Sequence, residues 1–115
     1  MSTTPVISVI IPIYNSEKYL ARILDSLLMQ SIKEPYEIIC VYGESTDNTL
    51  DILTHYQQCY PEKITVYVLD YYCGCSEKRN YGLQRARGKY LYFCDSDDFM
   101  DLNSLNELYN LMENN

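Results

Sequence analysis

Four times along this chain, a short apolar segment is followed by a segment whose apolar residues have helical spacing. Few folds are compatible with this pattern. The predicted strands cover residues 6–12, 36–41, 64–69 and 90–94. The last of these is uncharged and too short for a stable helix, so we predict a buried strand that is covered on both faces. Strands that alternate with helices indicate right-handed crossovers between parallel strands. We therefore predict an α/β fold with a parallel sheet and helices on both of its faces.

The predicted helices follow from apolar spacing and from residues that begin or end helices. They cover about residues 17–29, residues 45 or 46 to about 60, residues 76–87, and residues 102 to the chain end. Gly88 lies just after the third helix, where glycine commonly ends a helix. Pro12 is expected to end the first strand, because proline cannot donate to a strand ladder.

The strand order decides where a ligand would bind. If the first three strands step outward and the fourth returns beside the first, the order is 3-2-1-4. Open α/β sheets bind ligands outside the carboxyl ends of the strands, at the point where the order reverses. We therefore expect Tyr14 and Asn15, which follow the first strand, to share one crevice with residues 95–98, which follow the fourth.

Three carboxylates follow the fourth strand within four residues, namely Asp95, Asp97 and Asp98. A bend just after the strand can bring at least two of them to one hard cation such as Mg²⁺ or Mn²⁺. A metal held in this way keeps positions for phosphate oxygens. The alternative is a solvated turn without a ligand, and an isolated Asp-x-Asp pattern does not decide between the two.

The charge of the chain excludes nucleic acid as a partner. Its 115 residues, enough for one domain with a core, contain 9 Lys and Arg against 16 Asp and Glu, for a net charge of −7. Nucleic-acid binding needs a basic surface. The first residues carry no basic signal region, and no apolar run is long enough to span a membrane. We therefore expect a cytoplasmic protein in which Cys40 and Cys94 are reduced thiols inside strands.

Four motifs in order resemble those of one enzyme family. They are Val-Ile-Ile-Pro-Ile-Tyr-Asn at 9–15, Ser-Thr-Asp at 45–47, Ser-x-x-Arg-Asn-x-Gly at 76–82, and Gly-x-Tyr at 88–90 leading to Asp-Ser-Asp-Asp at 95–98. Together they resemble the N-terminal part of a family 2 glycosyltransferase with the GT-A fold. The resemblance implies a Rossmann-like, three-layer α/β/α fold, with residues 1–115 as a single donor-binding domain of a longer enzyme.

The resemblance also implies an activity. Such enzymes transfer a sugar from a nucleotide diphosphate donor to an acceptor hydroxyl, with inversion and with Mn²⁺ or Mg²⁺ bridging the diphosphate. A UDP-sugar is the favoured donor, and the acceptor is a glycan or a lipid-linked sugar in cell-surface polysaccharide biosynthesis. Peripheral membrane association of a full-length protein is compatible with this role.

Carried over position by position, the resemblance assigns ten donor-binding residues. These are Pro12, Tyr14 and Asn15 around the nucleoside, together with Glu44, Asp47, Arg79, Asp95, Ser96, Asp97 and Asp98. Asp97 is expected to be the main metal ligand, and Asp95 to contact the metal or the ribose. Arg79 is expected near the base or the diphosphate, and Asp98 to face the sugar or to support the turn.

The chain departs from the family pattern in two places. Tyr42-Gly43-Glu44-Ser45 stands where members commonly have Asp-Asp-Gly-Ser, so the carboxylate that usually contacts the base is missing, and Glu44 is a candidate to replace it. The family's catalytic base comes from a later segment, so we expect it beyond Asn115 and expect the isolated chain to be inactive. The alternative function is a nucleotide-sugar-binding module without turnover of its own.

Other folds of this class fail on the position of their motifs. An NAD-binding Rossmann domain needs a glycine-rich turn after the first strand, and Pro12-Ile13-Tyr14-Asn15-Ser16 contains no glycine. A phosphatase with an Asp-x-Asp nucleophile, or a receiver domain, would carry its acidic residues after the first strand instead of the fourth.

Overall fold

The computed structural model describes residues 4–71 and 73–114, which form a parallel sheet between two layers of helices. The strands are β1 (Ile7–Ile13), β2 (Tyr36–Gly43), β3 (Ile64–Leu69) and β4 (Tyr90–Phe93). The helices are α1 (Leu20–Leu28), α2 (Thr49–Cys59), α3 (Cys75–Arg85) and α4 (Ser104–Glu113). The strand order is β3-β2-β1-β4, and all three pairings are parallel, which confirms the predicted order.

The sheet is the middle of three layers, because successive side chains of a strand point to opposite faces. On one face, the odd-numbered side chains of β1 pack with Leu24 of α1, Leu53 of α2 and Leu105 of α4. On the other face, Ile10 packs in a second cluster with Tyr81 of α3. The two faces are therefore covered unequally, by three helices and by one.

The helices are shorter than their apolar spacing predicts, because polar contacts hold the flanking residues outside them. The Asp47 carboxylate accepts a hydrogen bond from Thr49 N (3.0 Å), so α2 begins only after this turn. Its second oxygen accepts from Glu17 N (3.2 Å), at the position where the first helix was expected to begin. α3 ends before the predicted position 87, because Arg87 N donates to Glu37 Oε2 (2.8 Å) instead of to the helix.

The prediction that the fourth strand is covered on both faces is wrong. Leu91 and Phe93 of β4 are 41% and 44% exposed, on the face that they share with Ser8 and Ile10. α3 packs against β1 and β2 and leaves β4 uncovered on this face. β4 is also the last strand of the described sheet, with β1 as its neighbour.

Pro12 lies inside β1, although the sequence predicts that it ends the strand. It pairs with Val41 of β2. The even-numbered residues of β1 direct their backbone groups towards β4, as shown by Ile10 O, which accepts from Cys94 N (3.0 Å). β4 pairs only with Ile7–Ile10, so the missing N–H of Pro12 faces a side of β1 that has no strand ladder at this point.

A buried polar cluster joins the amino ends of β1 and β2 to the residues that precede β4. Ser8 Oγ donates to Glu37 Oε2 (2.6 Å) and accepts from Gly88 N (2.8 Å). The Glu37 carboxylate also accepts from the Arg87 backbone N (2.8 Å) and pairs with the guanidinium (3.2 Å). The cluster satisfies polar groups that would otherwise be buried without partners.

Two further sequence predictions concern the cysteines and the membrane. The five cysteines are free, and burial raises the pKa of both Cys40 and Cys94 to about 12, so these thiols are protonated. They pack as small apolar groups, as expected. Within the described part of the chain, every helix is too short or too polar to cross a bilayer.

Candidate functional site

A crevice of about 480 Å³ opens at the carboxyl ends of β1 and β4, where the strand order reverses. Seven of the ten predicted donor residues line it, namely Pro12, Tyr14, Asn15, Arg79, Asp95, Ser96 and Asp97. The structure therefore brings together the residues that follow β1 and those that follow β4, as the topology rule predicts. Ser16, Tyr19, Cys75 and Lys78 also line the crevice and were not predicted.

The other three predicted residues lie outside the crevice lining. Glu44 is exposed after β2, with a φ of 25°. The Asp47 carboxylate is occupied by Thr49 N, the Thr49 hydroxyl and Glu17 N, and the Thr49 hydrogen bond lowers the pKa of Asp47. Asp98 Oδ2 accepts from Asp95 N (2.9 Å). In the structure, the last two carboxylates stabilise loops.

One wall of the crevice is built by the β1–α1 loop, which is hydrogen-bonded to the β2–α2 loop. Asn15 N donates to Ser45 Oγ (2.8 Å), and Asn15 Oδ1 accepts from Thr46 N (2.7 Å). Ser16 N donates to Thr49 Oγ1 (2.8 Å). Asn15 has a φ of 44°, a conformation that asparagine tolerates better than most residues. The two loops therefore form one connected unit beside the Tyr14 ring.

The opposite wall is the acidic turn, defined as residues 95–98. Asp95, Asp97 and Asp98 are exposed, and each places one carboxylate oxygen within 4.8 Å of the others. Asp95 Oδ1 pairs with Arg79 (3.0 Å), whereas the Asp97 carboxylate makes no hydrogen bond or ion pair with a described residue. Converging carboxylate oxygens are the donor set that Mg²⁺ and Mn²⁺ prefer, so these residues fit a hard divalent cation.

Positive charge enters the crevice from the beginning of α3. Arg79 bridges this helix to the acidic turn, and its buried Nε has no hydrogen-bond partner in the described residues. Lys78 is buried beneath the crevice, with Nζ 5.2 Å from the centroid of the Tyr14 ring. The sequence analysis missed Lys78. No signal in the sequence could have found it, because its burial rests on contacts with Gly43 and Tyr14, which lie far from it in the chain.

The sequence matches the family model for glycosyl transferase family 2 over residues 8–115. The poly(ribitol-phosphate) beta-glucosyltransferase of Bacillus spizizenii is 41% identical over 110 residues, which cover 95% of this chain and 17% of that protein. The poly(ribitol-phosphate) beta-N-acetylglucosaminyltransferase TarS of Staphylococcus aureus is 37% identical over 101 residues, which cover 87% of this chain and 18% of TarS.

Solved structures agree with the sequence comparison. S. aureus TarS 1-349 in complex with UDP matches with a TM-score of 0.84 and 34% identity, over 94% of this chain and 32% of that chain. The mannosyltransferase PcManGT from Pyrobaculum calidifontis, in complex with GDP-Man and Mn²⁺, has a TM-score of 0.80 at 23% identity, over 95% of this chain and 32% of that chain. The second match shows a shared fold alone. The chain thus spans less than a fifth of both curated relatives above.

Proposed function

The chain belongs to glycosyltransferase family 2, and on that basis we propose that it binds the donor in the transfer of a sugar from a nucleotide diphosphate to an acceptor hydroxyl. The observation that carries the proposal is the crevice itself. It combines an aromatic face, two cationic side chains and converging carboxylates at the switch point of the sheet. In a nucleotide diphosphate, the base matches the aromatic face, and the anionic diphosphate matches the cationic side chains. The carboxylates can accept hydrogen bonds from the ribose or hold a metal ion on the diphosphate.

In this proposal, Asp97 and Asp95 hold a Mn²⁺ or Mg²⁺ ion. When bound, such an ion neutralises the charge that develops on the leaving diphosphate. This role for Asp97 is supported by its carboxylate, which has no other partner among the described residues and lies near those of Asp95 and Asp98. Tyr14, which is 50% exposed, offers its ring to the base, and Arg79 adds positive charge near the diphosphate. Asp98 supports the turn that presents Asp97.

We propose that the donor is a UDP-sugar, whose sugar is transferred to the acceptor hydroxyl with inversion while UDP leaves. TarS, at 34% identity, has been solved with UDP and with UDP-GlcNAc, which supports this choice of base. The names of the relatives refer to poly(ribitol-phosphate), so we propose an acceptor glycan or polyol phosphate of the cell surface. The cytoplasmic location and the membrane association of a longer protein stay predictions from the sequence.

The proposed function is tested by titration calorimetry of the chain with UDP, CDP, GDP and ADP, each with and without Mn²⁺. We expect UDP to bind in the presence of Mn²⁺ and to lose affinity when EDTA removes the metal. If none of the four nucleotides binds in the presence of Mn²⁺, the proposed function is refuted.

Arg79→Ala should weaken binding of UDP with Mn²⁺ by about 1.5–3 kcal/mol, the range for a hydrogen bond to a charged group. Arg79 is expected to matter because it lines the crevice and because its Nε has no hydrogen-bond partner in the part of the chain that the structure describes. Calorimetry of the variant measures the loss directly.

Arg85→Ala is the matched control on the same helix. The sequence predicts that Arg85 is exposed, but the structure shows it half-buried, with its guanidinium 3.3 Å from the centroid of the Tyr81 ring. It lies at the end of α3 remote from the crevice, so its removal should affect stability and leave UDP affinity unchanged. Equal losses of affinity in both variants would indicate diffuse attraction without a specific site.

A further inference from the structure

Lys78 is a buried cation in the crevice without an anionic partner in the described protein. Only 3% of the residue is exposed, and none of the ion pairs of the described residues includes it. Its ammonium lies over the face of the Tyr14 ring. Lys78 also lines the crevice, so its ammonium faces the open space there. The stem is buried while the ammonium faces the crevice, so this group is available to donate hydrogen bonds to a bound ligand.

Gly43, the last residue of β2, makes room for this side chain. A Cβ atom at position 43 would lie 2.9 Å from Lys78 Cε and 3.4 Å from Nζ. The lysine stem therefore runs directly over the bare backbone of Gly43. The position of the ammonium thus depends on two residues together, a lysine on α3 and a glycine at the end of β2.

The place of Lys78 along the sheet edge indicates which part of a nucleotide it meets. β2 and β4 lie on opposite sides of β1, and β2 extends four residues beyond Ile39, which is level with the last residue of β4. At about 5 Å per strand and about 3.3 Å per residue, Gly43 is therefore about 16 Å from the end of β4. In a nucleoside diphosphate, the base and the diphosphate extend from opposite ends of the ribose. With the diphosphate at Asp97, a base that extends across β1 to the β2 side of the crevice would meet Lys78 and Tyr14, beside Gly43.

We propose that Lys78 recognises the nucleobase of the donor by donating a hydrogen bond from its ammonium to a carbonyl oxygen of the base. This inference rests on the proposed function, because it needs a nucleoside diphosphate in the crevice. An ammonium group donates hydrogen bonds and cannot accept them. Lys78 therefore favours uracil, cytosine and guanine, which carry a carbonyl oxygen, over adenine, which has none.

Lys78→Met tests the inference, because methionine retains the length of the stem and removes the donor. Calorimetry with Mn²⁺ compares UDP, ADP and inorganic pyrophosphate on the wild-type chain and the variant. We expect UDP affinity to fall by about tenfold or more, pyrophosphate affinity to stay unchanged, and the preference for UDP over ADP to shrink accordingly. Lys33→Met, at an exposed position, is the matched control and should change none of the three.

Gly43→Ala provides a second variant, which keeps the charge and displaces it. Its methyl group would occupy the space of Lys78 Cε, so it should reproduce the selective loss of UDP affinity. Thermal melting of both variants verifies that they fold, and Lys78→Met should fold because it removes a buried charge.

Two results would overturn the role of Lys78. One is an unchanged UDP affinity in Lys78→Met, and the other is an equal loss for UDP and pyrophosphate, which would make Lys78 a phosphate ligand. Both are distinct from failure of the proposed function, in which the wild-type chain itself would bind no nucleoside diphosphate.

Discussion

Asp97→Asn should reduce the Mn²⁺-dependent affinity for UDP by at least about 100-fold. Mutation of a residue that only hydrogen-bonds a metal ligand already lowers metal affinity by roughly 10–100-fold, and Asp97 is proposed to be a ligand itself. Asparagine keeps the shape of the side chain and removes the negative charge that a hard cation requires. Asp97 is the residue of choice because Asp95 is paired with Arg79 and the Asp98 carboxylate accepts from the backbone of the turn. Calorimetric titration with UDP at a fixed Mn²⁺ concentration measures the effect.

The fold of this variant should be intact, with a melting temperature equal to or above that of the wild type. The three carboxylates of the acidic turn repel one another, and removal of one charge relieves that repulsion. Asp101→Asn is a matched control, because Asp101 is an exposed neighbour outside the carboxylate cluster. Undiminished Mn²⁺ dependence in Asp97→Asn would favour the alternative of a solvated turn without a metal.

Gly88→Ala should lower the free energy of unfolding by about 2–4 kcal/mol, at or above the usual range for overpacking. A Cβ atom at this position would lie 2.6 Å from Ser8 N and 2.7 Å from the carbonyl carbon of Ile7. These are backbone atoms of β1, where that strand pairs with β4, so they cannot move without breaking the sheet. Urea denaturation followed by circular dichroism measures the change.

Gly74, an exposed glycine at the beginning of α3, supplies the control for this prediction. Among the described residues, an added Cβ at Gly74 would meet no heavy atom within 4 Å. Gly74→Ala should therefore change stability by less than about 1 kcal/mol, the scale of a helix N-cap preference. A comparable loss in both variants would mean that backbone freedom, and not the contact with β1, explains the requirement for glycine at position 88.

The strand order could be predicted from the sequence because it follows from local alternation and the handedness of crossovers. The beginnings of the helices could not, because they depend on contacts such as that between Asp47 and Glu17, which lie far apart in the chain. The exposure of Leu91 and Phe93 was missed for a related reason. An apolar strand segment does not reveal whether a helix covers each of its faces.

The candidate site likewise contains residues that could be predicted from the sequence and one that could not. The acidic turn and Tyr14 were predictable, because parallel strands bring their carboxyl ends to one edge of the sheet. Lys78 was not predictable as a buried residue, since its stem packs against Gly43 of β2. Two elements, α2 and β3, separate these residues in the chain. A lysine is usually exposed, and the sequence alone contains no sign that the glycine and the lysine are in contact.

The hydrogen bonds between the β1–α1 and β2–α2 loops bear on the rate and entropy of ligand capture. The backbone N–H groups of Asn15, Ser16 and Glu17 donate hydrogen bonds to the side chains of Ser45, Thr49 and Asp47, respectively. Binding therefore orders few additional residues on this side of the crevice and loses little conformational entropy there. A ligand that meets such a preformed wall associates in a single diffusional step on that side, without a slower loop closure after the encounter.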